Sequence, residues 1–417
     1  MKVLWIVNMV VPDAARELGI RTSFSGSWMV DPLRMLSKDE TLEMATMTYG
    51  QVSQRTIITV DRVKHYIFPG GGKQLLLCSK KTDENCRFVL EDFQPDLIHI
   101  YGTEYSMGHS ILKLQPKQPV VLTVQGILSY ICKEYRGGLP GHIYHTLVTP
   151  KQLLRLKMPL LTELLFKKNA KREQEVIRQA QYITGRTDHD KAFVLSVNPR
   201  ATYFRLNYNL REEFYQAEKW QYDTCEKYTI FTGAATYPLK GLHTLLDAVA
   251  MVKKRYPQVK LLVPGNNVSY QKSNGYERYL HRKIRALGLE KNVEFIGRKS
   301  AQEMAECLKN ANVYVLPSAY DTDSLSLCEA QYLGTPCVAS MRGGSGELIQ
   351  DQFSGLCYHY TDSALLAEKI CRLFGNESLC RMLSANGIQQ AAQRHDRMEN
   401  VAQQRRLYTD ILDRHNK

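Results

Sequence analysis

Residues 317–349 read PSAYDTDSLSLCEAQYLGTPCVAS and then MRGGSGELI. An apolar, β-branched run at 312–316 leads into this stretch and predicts a buried strand. Two acids follow, Asp321 and Glu329, with seven residues between them. A helix expected to begin near Ser324 sets its amino end between those acids, so the free N–H groups around Ser324, Leu325 and Ser326 face whatever binds there. Such an end attracts phosphate. Gly343 and Gly344, with Ser345 and Gly346, form a second loop whose small residues let the backbone approach an anion closely.

Outward from this stretch, short apolar runs alternate with longer segments of helical period, the pattern of a parallel sheet covered by helices on both faces. In the second half the strands are expected at 228–232, 259–263, 292–296, 312–316 and 336–339, with helices at 241–256 and 301–309. In the first half they are expected at 3–10, 96–101, 119–124, 182–184 and 201–204. The alternation restarts after a polar stretch at 212–227, which predicts two doubly wound, Rossmann-like α/β domains, 1–210 and 215–385. Residues 386–417 read as one continuous amphipathic helix.

At 417 residues the chain is too long for a single ordinary core. Its content, 44% hydrophobic and 23% charged, is that of a globular protein. No stretch approaches the roughly 18 apolar residues of a membrane span. The opening MKVLWIVNMVVP is interrupted by Asn8 and stopped by Pro12, so it reads as a buried first strand, and a cytoplasmic protein is expected. Ten scattered cysteines without a close pair are expected to be small core groups and not metal ligands. A net charge of +13 calls for an anionic partner. The excess is concentrated in 127–178, where ten Lys or Arg face four acids. That segment reads as a basic insertion in the first domain, with Leu153, Leu154, Leu156, Leu160, Leu161, Leu164, Leu165 and Phe166 at partly helical spacing. Its expected partner is an anionic membrane face, with burial of the leucines against the first domain as the competing reading.

The order strand, Pro-Ser, acid, seven residues, Glu-Ala, Leu-Gly-Thr-Pro and Gly-Gly resembles the donor-binding signature of glycosyltransferase family four. FTGAATYPLKGLHTLLDAV, FIGRKSAQEMAECLKNANVYVLPS, PDLIHIYG and VVLTVQG are similar to further segments of that family, so the resemblance extends over most of the chain. It implies a GT-B fold, two Rossmann-like domains facing across a cleft, with the final helix returning to the first. It also implies a retaining, metal-independent transferase that takes a sugar from a nucleoside diphosphate sugar to a glycan or lipid-linked acceptor, of the bacterial surface-polysaccharide type, with no separate cofactor and no nucleic-acid partner. On that pattern Lys240 meets the diphosphate, Asp321 touches the sugar and Glu329 holds ribose hydroxyls. Gly233 lies at the end of the first donor-domain strand, and Gly297 and Arg298 lie beside the base. In the first domain Gly26 sits in a loop near the diphosphate and Gln125 near the sugar.

Three positions depart from the family pattern. Ala234 and Ala235 stand where an arginine usually follows Gly233; Arg186, Arg205 and Arg211 are candidates to replace its charge. Asp321 is one methylene shorter than the usual glutamate, and Gln125 replaces a histidine. No dedicated base is visible. Asp321-Thr322-Asp323 imitates a metal-binding DxD motif but lies inside the spaced-acid pattern. Two other readings stay open: a sugar-nucleotide epimerase of the same fold, and a basic binding protein with a degenerate donor site.

Overall fold

The computed structural model describes residues 1–20, 27–148, 159–233, 237–265 and 275–416. It divides into two compact units: Met1–Ser129 with Lys167–Arg211 and His395–Lys417, and Tyr130–Phe166 with Glu212–Arg394.

The first unit is built on eight strands: β1 (Lys2–Ile6), β2 (Glu43–Gly50), β3 (Thr56–Val60), β4 (Val63–Pro69), β5 (Leu97–Tyr101), β6 (Val120–Thr123), β7 (Tyr182–Gly185) and β8 (Thr202–Arg205). They lie in the order β3-β4-β2-β1-β5-β6-β7-β8. All neighbours are parallel except β3 and β4. The second unit holds β9 (Glu226–Thr232), β10 (Lys260–Pro264), β11 (Val293–Gly297), β12 (Ala311–Leu316), β13 (Cys337–Ser340) and β14 (Leu356–Tyr358), ordered β11-β10-β9-β12-β13-β14 and parallel throughout. In each sheet the strand order reverses beside the first strand, between β1 and β5 and between β9 and β12. Ligands of doubly wound sheets bind at the carboxyl ends flanking such a reversal.

The central strands are continuous apolar runs because both faces are covered; β5 (LIHIY) and β12 (ANVYVL) are buried at every residue. The hairpin of β3 and β4 turns at Asp61 and Arg62, whose φ angles of 47° and 66° suit the twist of antiparallel strands. His99 in β5 is fully buried, with Nδ1 2.6 Å from the Tyr408 hydroxyl and Nε2 2.6 Å from Thr123 Oγ1. Burial lowers its pKa to about 3, so it is a neutral core histidine.

Two expectations are corrected. The basic segment 127–178 does not stay within the first unit: residues 130–166 cluster with the second. Leu139, Tyr144 and Leu147 enter the second unit's core beside Leu242 and Tyr276, and His243 Nε2 lies 2.8 Å from the Gly137 carbonyl. Burying those apolar groups outweighs adjacency in sequence. Leu153, Leu154 and Leu156 lie outside the described residues. The terminal segment, in turn, is two helices, Glu377–Arg394 and Arg397–His415. Asp396 stops the continuous helix by accepting from the amides of Met398 and Glu399 at 3.1 and 2.9 Å, an N-cap for the second. Leu379, Cys380 and Leu383 of the former pack in the second unit's core, and Leu407, Tyr408 and Ile411 of the latter in the first unit's.

Tyr408 is fully buried, bonded to His99, and receives the Gln404 amide at 2.6 Å. Tyr408→Ala is expected to destabilise the first unit by about 3–5 kcal/mol, as deletion of a buried aromatic does. Denaturant unfolding followed by hydrogen exchange in β1 and β5 measures this, and an unchanged midpoint would show that the last helix adds nothing to that core.

Candidate functional site

The carboxyl ends of β9, β12 and β13 converge in the second unit. Gly233 follows β9, and a Cβ built on it would lie 3.3 Å from Ser326 Oγ. After β12 the chain runs through Pro317–Tyr320 to Asp321 and then into the helix Leu325–Leu333, with Ser324 as its extended N-cap. The Ser324 side chain makes no capping bond to that end. Tyr314 donates its hydroxyl to Ser326 Oγ at 2.7 Å, and Ser324 Oγ lies 3.3 Å from Ser326 Oγ. Glu329 sits one turn into the helix and is buried to 1% exposure.

Lys240 arrives from the other side. A 3-10 turn, Pro238–Lys240, precedes the helix Leu242–Arg255, and Leu239 accepts the Ala319 amide at 2.7 Å. Lys240 Nζ donates to both oxygens of Asp321, at 2.8 and 3.0 Å. Burial opposes its charge, but the Asp321 carboxylate more than offsets that and raises the ammonium's pKa. It is charged at any physiological pH.

Two glycines make this close approach sterically feasible. Gly241 has φ 70°, and a Cβ there would stand 1.8 Å from the Pro317 carbonyl oxygen. Gly343, with φ 66°, would place a Cβ 2.1 Å from the Asp321 oxygen. Asp321 and Gly343 form a parallel bridge, and the Gly344 amide donates to the Asp321 carbonyl at 3.0 Å. Ser345 is buried behind them.

A further support was not read from the sequence. The segment after Tyr130 touches three of these loops within the same unit. The Tyr130 ring stacks on Tyr320 at 5.7 Å, Glu134 pairs with Arg342 next to Gly343, and Gly137 packs on the Pro238 carbonyl. Only the apolar groups at 139, 144 and 147 signalled in sequence that this stretch is packed and not free.

The expected site residues therefore fall in three places. Gly233, Lys240, Asp321, Ser324, Leu325, Ser326, Glu329, Gly343, Gly344 and Ser345 gather at one end of the second sheet. Gly297 ends β11 and Arg298 follows it at that sheet's edge, beyond β10, with Arg298 exposed. Gln125 follows β6 in the first unit, where its Nε2 is buried without a partner among the described residues. Gly26 and Ala234 lie outside the described residues. Of the arginine candidates, Arg186 is held between the Trp28 and Tyr208 rings at 4.5 and 4.6 Å, and Arg205 pairs with Asp188 at 3.6 Å. Both, with Arg211, belong to the first unit. Among the described residues no cluster of three metal-ligating side chains occurs.

Residues 215–390 match the family described as Glycosyl transferases group 1. An uncharacterised glycosyltransferase of Methanocaldococcus jannaschii is 25% identical over 351 residues, covering 82% of each chain. Over most of its length the chain is thus similar to glycosyltransferases, with the family match falling on the second unit. Its fold is that of solved GT-B structures. Sucrose-phosphate synthase of Thermosynechococcus elongatus matches 99% of both chains with TM-score 0.74 at 17% identity. The Anabaena protein HepE in complex with UDP matches 98% of this chain and 100% of its own with TM-score 0.68 at 16% identity.

Gly241→Ala tests the geometry of this site directly. Left-handed strain alone costs about 1–3 kcal/mol, and the clash with Pro317 adds to it. Hydrogen exchange at the Ala319 amide is expected to accelerate markedly; unchanged protection there would contradict the described turn.

Proposed function

We propose that this glycosyltransferase moves a sugar from a nucleoside diphosphate sugar to a hydroxyl of a glycan or lipid-linked acceptor, with retention at the anomeric carbon and without a metal ion. The observation that carries the reading is the Lys240–Asp321 pair set beside the amino end of the helix Leu325–Leu333 and the 343–345 loop. An ammonium has three N–H donors, and Asp321 takes two. The third, with the helix-end amides, serves the diphosphate.

As the bond from the anomeric carbon to the phosphate oxygen breaks, the diphosphate gains charge, and donors fixed beforehand lower that barrier. The acceptor oxygen forms the new bond, and its proton passes to the departing phosphate. Asp321 orients Lys240 and reaches the sugar, Glu329 holds ribose hydroxyls, and Gly297 and Arg298 flank the base. The UDP bound to the Anabaena protein of like fold supports a uridine donor. Polysaccharide assembly in the cytoplasm is the setting this reading implies.

Membrane contact is proposed through the helix Pro159–Gln179, which exposes Leu161 and Leu164 and, further along, Lys167, Lys168 and Lys171. Among the described residues no helix is long and apolar enough to cross a membrane. Arg172 is not part of that basic surface. Its guanidinium donates to the carbonyls of Leu76 and Glu104 at 2.8 and 2.9 Å, so it ties the helix to the first unit.

A panel of UDP-, GDP- and ADP-sugars is expected to yield at least one that raises the melting temperature and is turned over in EDTA. Lys240→Ala should then lower kcat by about 10²-fold. Loss confined to KM, or activity restored only by Mg²⁺ or Mn²⁺, would reject the mechanism. A carbohydrate product of inverted configuration would do the same. Lys167, Lys168 and Lys171 replaced together by Gln should weaken sedimentation with anionic vesicles, each lysine contributing roughly 1 kcal/mol near the surface. Equal sedimentation of wild type and variant would leave the helix as an ordinary solvated face.

A further inference from the structure

Tyr130 and Glu134 lie four residues apart on the helix Leu128–Glu134, so their side chains leave from one face. That face meets two of the phosphate-facing loops, all within the second unit. The Tyr130 ring stacks on Tyr320 at 5.7 Å with the planes 9° apart, and Tyr320 directly precedes Asp321. The same Tyr320 ring crowds Gly343, where a Cβ would stand 2.8 Å from it. Glu134 pairs with Arg342, the residue before Gly343. One helix face therefore grips both loops that meet at the Asp321–Gly343 bridge. The chain then turns through Gly137 and Gly138, at φ 61° and 72°, and Gly137 packs on the carbonyl of Pro238, at the start of the turn that carries Lys240.

The helix is fastened at its first turn as well. Glu173, fully buried on the helix Pro159–Gln179, accepts from the amides of Leu128 and Ser129 at 3.1 and 3.2 Å and from Ser129 Oγ at 3.4 Å. Thr103 Oγ1 donates to it at 2.9 Å. Burial pushes the Glu173 carboxyl up to about 7, and these four donors keep it from rising further. Gln174 adds a bond from its Nε2 to Ser129 Oγ at 3.1 Å. A helix free at this end could not hold loops at the other.

Folding stability does not account for the Glu134–Arg342 pair. Its side chains are 23% and 41% exposed, and an ion pair that wet adds little to stability. What it fixes is a position. Arg342 leads into the loop whose Gly344 amide bonds the Asp321 carbonyl at 3.0 Å, and Asp321 in turn holds Lys240 at 2.8 Å. Donors that stabilise charge appearing in a transition state act only if they are set beforehand, and a misplacement of about 1 Å can cost about 10²-fold in rate. We propose that Tyr130 and Glu134 are positioning residues of the transfer reaction, which act through Tyr320 and Arg342 to set the Asp321 and Gly343 loops. The proposal rests on the reading of those loops as the diphosphate site.

The test compares Tyr130→Ala, Tyr130→Phe, Glu134→Ala and Arg342→Ala in the full chain by hydrogen exchange and by release of the diphosphate from UDP-glucose, GDP-mannose and ADP-glucose. Water serves as acceptor: its oxygen bonds to the anomeric carbon, the bond to the phosphate oxygen breaks, and a water proton leaves with the diphosphate. Tyr130→Ala and Glu134→Ala should each speed exchange at the Gly344 amide about tenfold or more, while the amides of β12 keep their protection and the melting temperature changes little. In the same variants kcat should fall about tenfold and KM change less than about threefold, because the donor still binds but its diphosphate is no longer met by fixed groups in the transition state. Tyr130→Phe keeps the stack and should recover most of the lost rate. Glu134→Ala combined with Arg342→Ala should lose no more than Glu134→Ala alone, since the two act as one pair. Unchanged exchange at Gly344, a loss confined to KM, or additive losses in the double variant would each overturn the positioning role. Release of no diphosphate by the wild type would instead defeat the diphosphate reading on which the role rests, and exchange at Gly344 separates that failure from a failure of the brace.

Discussion

An ammonium and a carboxylate 81 residues apart constrain the second unit: Lys240 and Asp321 must stay within hydrogen-bond reach. Neither residue can achieve this through its own segment. β9 and β12 lie side by side in the sheet, so the turn after one and the loop after the other leave from the same edge. The main-chain bond from Ala319 to Leu239 then locks the two loops, and the approach is close enough that Gly241 has no room for a side chain. Everything proposed for phosphate binding follows from that contact. The helix Leu325–Leu333 starts where Asp321 ends the loop, and the glycine at 343 closes against the Asp321 carbonyl.

The first half of the chain contributes to that region through an exchange of territory. Residues 130–166 leave the sheet that precedes them and join the second unit. Leu139, Tyr144 and Leu147 bury against helices of that unit, and the carbonyl of Gly137 serves the buried His243. A buried imidazole needs a partner, and burial keeps this one neutral by lowering its pKa to about 4. Glu134 and Tyr130 lie on the same segment, so loops that end different strands are braced by one piece of chain. The terminal helices make the reverse exchange: the break at Asp396 sends the final helix into the first unit's core.

The first unit holds its polar groups differently. His99, Thr123 and Tyr408 satisfy one another inside the core, whereas Asn8, Glu104 and Gln125 at the strand ends do not. Buried polar atoms without partners cost stability.

Much of this was legible in the amino-acid order. Continuous apolar runs marked the central strands, because burial on both faces leaves no alternation to hide. Pro-Ser, the spaced acids and the paired glycines marked the phosphate-facing loops, because close backbone approach limits which residues fit. β2, β3, β4 and β14 were not read: Thr and Tyr interrupt β2, β3 is a half-exposed edge strand, and β14 has three residues. What only the tertiary structure decided is which distant groups meet. Sequence showed Lys240 and Asp321 as separate candidates, gave no role to Glu134 or Glu173, and assigned 130–166 to its neighbours in the chain. Ion pairs, shifted carboxyls and the choice of core depend on burial and on distances through space, and the order of residues along a chain records neither.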